Sequence, residues 1–119
     1  MRLPMSTPTV GPLLTLDIEQ NGTTTIVRCH GRLVSGVADQ LYATVSKVIP
    51  GSKRIVLDLT DLAFMDSMGL GTLMRLYVSA RASGCSLELI HIGKRIRELL
   101  ELTNIWAVFA TVGEDGIKF

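Results

Sequence analysis

The sequence predicts an α/β domain built on a mixed sheet of four to five strands with about three helices. Three observations carry this. Segments with period-two alternation or dense β-branching (14–19, 24–30, 54–59 and 86–92) interleave with segments whose apolar residues recur at helical spacing (35–49, 67–82 and 94–103). Turn-forming residues punctuate them at Asn21-Gly22, Pro50-Gly51, Gly84 and Gly93. The resulting order, β-β-α-β-α-β-α-(β), is that of an α/β sheet whose later strands are parallel.

Each element has its own justification. Leu14, Leu16 and Ile18 alternate with Thr15, Asp17 and Glu19, the pattern of a half-buried strand. Asn21-Gly22 follows as a hairpin turn, both residues tolerating positive φ, and is read so in preference to a glycosylation site. Thr24 to His30 is β-branched and ends at Gly31, giving a second strand antiparallel to the first. Ser35-Gly36 then opens a helix: Ser35 is the expected cap, Asp39 suits the positive end, and Val37, Leu41, Val45 and Val48 share one face. Arg54 to Leu59 is a short β-branched run expected to be buried on both faces. Asp61 to Phe64 reads as a connection. The second helix starts at Ser67 or Met68 and runs to Ala82, with Leu70, Leu73, Met74 and Tyr77 as its stripe and Gly84 as C-cap. Ser86 to Ile92 is another strand. Lys94 to Thr103 is a third helix facing inward through Ile96, Leu99 and Leu100, and Trp106 to Val112 is read as a final short strand.

At 119 residues the chain is the size of one domain. Residues 1–12, with three prolines and one charge, read as a flexible lead-in, and 13–119 as the domain. Charged residues are only 19% and the mean hydropathy is +0.37, which excludes a disordered chain. A net charge of +1 argues against direct nucleic-acid binding through a broad basic face. No stretch approaches the ~18 apolar residues of a membrane span, so no membrane insertion is expected. The first residues lack the apolar core of a signal peptide, and Cys29 and Cys85 form no paired motif. Reduced thiols in a cytoplasmic protein are therefore the expectation.

The most informative stretch runs from Arg54 to Tyr77. A buried strand ends, a loop crosses, and Asp66-Ser67-Met68-Gly69 opens a helix at the carboxyl end of the sheet, where sites of α/β folds collect. Asp66 or Ser67 capping the helix accounts for both residues locally. Gly69 and Gly71 are not so explained, since each costs about 1 kcal/mol relative to alanine in a helix. Either the glycines flatten a surface or they allow close packing on the sheet. They form no dinucleotide fingerprint or phosphate-binding loop, and Ser67 sits in no nucleophile elbow. His30 and His91 lie in strands without metal spacing. No metal, no cofactor and no enzyme activity is expected. Three helices on one side of the sheet leave its other face thinly covered. Met68, Leu70 and Leu76 are expected not all to reach one core, leaving docking surface around Ser67.

Phe64 to Leu73 (FMDSMGLGTL) resembles the signature of STAS domains, specifically the anti-sigma factor antagonists. Gly31-Arg32-Leu33 is similar to that family's G-x-L, Gly84 to Ile92 to its following strand, and Arg95 to Ile105 to its last helix. The resemblance spans about residues 14–112. It implies a single STAS-like domain acting as a phosphorylation-switched binding module. The unmodified form captures an anti-sigma factor of the serine-kinase type and frees a sigma factor. Phosphorylation of Ser67 switches it off, and a PP2C-type phosphatase resets it. By the same resemblance Asp66 is the supporting acidic neighbour, and Asp66, Ser67, Met68, Gly69, Leu70 and Gly71 form the partner-binding surface. A phosphate adds roughly −1.5 to −2 charge, costly to bury against a partner, whereas the helix N-terminus tolerates it in the free chain. Two positions depart from the pattern: Met68 replaces a second hydroxyl, and Val34-Ser35 stands where an acidic residue is common. Those departures keep open an alternative, a STAS module without phosphorylation that serves as a small subunit or scaffold of a transporter or other signalling complex.

Overall fold

The computed structural model describes residues 13–102, with strand backbone at 110–112 and 116–118. The expected lead-in and residues 103–109 lie outside the described residues. Four main strands and two three-residue strands form one mixed sheet, β1 (Leu14–Asn21), β2 (Thr24–Leu33), β3 (Arg54–Met65), β4 (Ser86–Ile90), β5 (Ala110–Val112) and β6 (Gly116–Lys118), in the order β1-β2-β3-β4-β6-β5. β1 and β2 are antiparallel, and β2, β3 and β4 are mutually parallel. The hairpin leaves Gly22-Thr23 as its loop, and Gly22 alone supplies the positive φ (+64°).

β3 is longer than its hydrophobic run implies. It does not end at Leu59; residues 61–64, expected as a connection, are strand. β2 likewise passes Gly31 to reach Leu33, and the two strands stay paired (Gly31 with Leu62, Leu33 with Met65). Register shifts between Arg28 and His30 and between Gly31 and Arg32 break the alternation. Leu59, Leu62 and Met65 are consequently buried at a spacing of three, which a period-two reading takes for a loop. Gly31 holds φ +109°, and a Cβ there would overlap the Leu13 carbonyl oxygen, so only glycine fits. At the other end, β4 stops at Ile90, two residues earlier than expected, where His91 takes φ +57°.

Three helices pack on one face: α1 (Ala38–Val48), α2 (Ser67–Ala82) and α3 (Lys94–Leu102). Their buried residues Leu41, Val45, Leu73, Leu76, Ile96 and Leu100 join Leu14, Val27, Ile55, Leu57 and Leu89 of the sheet in one core. Two expectations are corrected. Ser35 does not cap α1; the helix starts after Val37, which makes no side-chain cap bond. Val34 O instead accepts from the amides of Val37 and Ala38, closing a turn with Gly36 at φ +95° before the helix. The α2 stripe runs Leu70, Leu73, Leu76, Ala80 rather than through Met74 and Tyr77, which sit at its margin; Leu70 and Leu76 reach the core and Met68 does not, so the three do not share one core, as expected.

The opposite face of the sheet is covered by ion pairs more than by apolar groups. Arg28 bonds Glu19 at 2.8 Å and lies 3.9 Å from Asp58, while Arg54 grips Glu88 with two bonds of 2.6 and 2.9 Å. Burial pushes the Asp58 carboxyl up, but bonds from the Thr60 hydroxyl, the His91 ring and the Thr60 amide prevail and hold it below the usual range. No helix among the described residues is long and apolar enough to cross a membrane.

Cys29 and Cys85 are both free and buried. Burial pushes the Cys29 thiol up to about 12 and raises that of Cys85. Since the thiolate is the reacting form, neither should react with a disulfide reagent at about pH 8 within minutes, and both should react in denaturant. A fast single-thiol phase in the native protein would contradict this packing.

Candidate functional site

The junction between β3 and α2 is built around one carboxylate. Asp66 is the N-cap of α2: Oδ1 accepts from the amides of Met68 and Gly69, both at 3.0 Å. Its Oδ2 accepts from the Ser35 amide at 3.0 Å, and its own amide donates to Leu33 O at 3.2 Å. Asp66 thus clasps the turn before α1 to the start of α2. The Ser35 amide is the main reason that its carboxyl sits below the usual carboxylate range; the Gly69 and Met68 amides add to this and desolvation opposes it. Its two oxygens are thus engaged by three backbone donors.

Ser67, the first residue of α2, is exposed beside this clasp. Met68 projects outward at 58% exposure. The two glycines have different reasons. At Gly69 a Cβ would run into Leu33 O and lie 2.9 Å from Leu33 Cγ and Met65 Cγ, so this glycine lets the helix seat on the strand ends. At Gly71 a Cβ would meet nothing within 4 Å, so this one lowers the surface. Sequence reasoning offered flat surface or close packing, and the structure uses one glycine for each.

Of the six residues expected to form the surface, Ser67, Met68 and Gly71 are exposed and Asp66 is half-buried. Gly69 and Leu70 are corrected: both are buried, Leu70 at 4% exposure, because the stripe that anchors α2 begins there. The structure adds residues that sequence reasoning did not place at the site. A cavity of about 130 Å³ lies between α1 and the start of α2, and Ser35, Asp39 and Arg75 line it together with Ser67, Met68 and Gly71. The spacing of 67, 71 and 75 along one helix side was the available signal for Arg75. Asp39 had no local signal for the site, and Ser35 stood out there only as lying, with Val34, where the family it resembles often has an acidic residue; the clasp brings the Ser35 turn to the site.

His30 and His91 are bonded to Asp61 and Asp58, each at 3.0 Å. Among the described residues no three His, Cys, Asp or Glu side chains gather to hold a metal ion.

The geometry, a mixed sheet with helices on one face and an aspartate–serine pair at the β3–α2 junction, can be compared with known proteins. The model of the STAS domain matches residues 15–115. The chain belongs to the STAS domain family. It is 26% identical over 97 residues to an anti-sigma F factor antagonist of Paenibacillus polymyxa, covering 80% of this chain and 83% of that one. Among solved structures it resembles an anti-sigma factor antagonist from Mycobacterium paratuberculosis, with a TM-score of 0.72 at 21% identity, over 82% of this chain and 85% of that one. It also resembles the Bacillus cell fate determinant SpoIIAA in its phosphorylated form, with a TM-score of 0.64 at 21% identity, over 76% and 85% of the two chains.

Proposed function

We propose that this STAS domain is an anti-sigma factor antagonist that binds a serine-kinase-type anti-sigma factor while unphosphorylated and thereby releases a sigma factor. Phosphorylation at Ser67 switches it off, and a PP2C-type phosphatase resets it. The observation that carries the reading is the exposed Ser67 hydroxyl, held at the head of α2 by the Asp66 clasp, with Met68 and Gly71 beside it. The names of its relatives point the same way: one is an anti-sigma F factor antagonist, and another was solved in both phosphorylated and unphosphorylated forms.

The switch follows from charge. An apolar methionine and a glycine without relief suit a partner that covers the serine. A dianion on Ser67 would have to be desolvated beneath that partner and next to the Asp66 carboxylate, an uncompensated burial that disfavours the complex. In the presence of such a kinase and ATP, the chain should gain one phosphate by mass spectrometry, absent in Ser67→Ala. Ser67→Asp should weaken binding to the partner roughly tenfold or more, about 1.4 kcal/mol. Modification persisting in Ser67→Ala would refute the assignment. A captured partner that never modifies Ser67 would favour the scaffold reading instead.

A further inference from the structure

The helix N-terminus tolerates the charge of a phosphate on Ser67 but has few free donors left to bind it. The amides of Met68 and Gly69 are already given to Asp66 Oδ1, and that of Leu70 to Asp66 O. The adjacent N-cap carboxylate of Asp66 repels a dianion. A cation from elsewhere would complement a phosphate on Ser67 better than these groups do, and the cavity beside it offers one.

Among the described residues, Arg75 is the only basic one lining that cavity. It stands eight residues beyond Ser67, about 12 Å along the helix axis, and a helical arginine leans back toward the N-terminus. Gly71 lies between them on the same wall and presents no side chain to obstruct the reach. The Arg75 side chain is 55% exposed, and its guanidinium lies 4.0 Å over the Tyr42 ring. Its ion partner, Asp39, is 3.5 Å away and 93% exposed, a solvent-facing pair of the kind that contributes little. A phosphate dianion is the better ligand for a planar guanidinium, since it accepts two parallel charge-assisted bonds.

We propose that Arg75 is the intramolecular receiver of a phosphate on Ser67, exchanging its surface pair with Asp39 for the phosphate and turning the α1–α2 cavity into a closed ion pair. The inference rests on the reading of Ser67 as the phosphoacceptor and adds how the modified state is held. The exchange makes and breaks no covalent bond. Its effect is to draw the phosphate over Gly71, across the ground a partner would occupy.

The test uses the full chain with phosphoserine encoded genetically at position 67, so that no kinase is required. The second ionisation of the phosphate is followed by phosphorus NMR in the presence of its charged neighbours Asp66, Asp39 and Arg75. The expected result is a titration midpoint that rises by roughly half a pH unit in Arg75→Gln, returns toward wild type in Arg75→Lys, and falls further in Asp39→Asn. Equal midpoints in wild type and Arg75→Gln would overturn the proposal. Because Arg75 is exposed, Arg75→Gln should retain the wild-type amide spectrum when unphosphorylated. Whether a kinase modifies Ser67 is read separately from the Ser67→Ala experiment, so a failure of the phosphoacceptor reading and a failure of the Arg75 clamp give different results.

Discussion

Gly69→Ala should destabilise the protein by about 3 kcal/mol, the upper part of the usual range for overpacking a core, although the same change at Gly71 should stabilise it. Propensity alone predicts a gain of about 1 kcal/mol at either position. The difference lies in what a methyl group meets. At Gly71 it meets open space. At Gly69 it meets Leu33 O, a strand carbonyl already fixed by the Asp66 amide, with Leu33 Cγ and Met65 Cγ close behind. Relief requires α2 to lift off the ends of β2 and β3, which strains the Asp66 clasp. Urea unfolding should show a lower midpoint for Gly69→Ala, with a melting temperature lower by roughly 10 °C, and a midpoint for Gly71→Ala at or above wild type. Equal stability of the two variants would mean that the helix does not seat on Leu33 as described. Gly71→Ala is also informative for binding, since it adds a methyl to the exposed ground beside Ser67 without loss of fold.

The sequence was legible where a side-chain pattern repeats within one element. The alternation of Leu14 and Leu16, the stripe of Leu70 and Leu73, and the burial of Ile96 and Leu100 all follow from period and are found in the structure; Ile18 is only partly buried. It was not legible where the determining contact joins backbone to a distant residue. Ser35 looks like a helix cap because serine before an apolar helical pattern usually is one. Its amide goes instead to Asp66, 31 residues away, and no local pattern encodes that. The extension of β3 to Met65 was hidden for a related reason: two register shifts with β2 move the buried residues from a spacing of two to a spacing of three. At the site, the aspartate–serine motif identified the junction, but only packing could separate Gly69 and Leu70, which serve the core, from Gly71 and Met68, which face outward.

Asp66 should carry the largest pH-dependent contribution in the junction. Asp66→Ala removes the acceptor for three backbone amides at once, and a lost cap alone costs about 1 kcal/mol and up to about 2. The Ser35 amide is exposed and water can replace the carboxylate there, so the expected loss at neutral pH is about 1–2 kcal/mol. Asp66→Asn should fall in between. Its carbonyl oxygen can still accept from Met68 and Gly69, but its amide group would face the Ser35 N–H with a donor. The pH dependence has a defined sign. The folded carboxyl titrates below the unfolded value of about 3.9, so the unfolded chain takes up its proton first as the pH falls. The stabilisation is therefore complete above about pH 5 and is lost as the pH drops through the folded value. Asp58, also depressed, contributes acid sensitivity of its own, but it is common to wild type and variants. The difference in unfolding free energy between wild type and Asp66→Asn isolates the clasp. It should be constant from about pH 7 to 5 and shrink steadily below about pH 4. A difference independent of pH would show that the Asp66 charge contributes nothing beyond its shape. In that case the head of α2, and with it Ser67, would be held by packing of Gly69 against Leu33 alone.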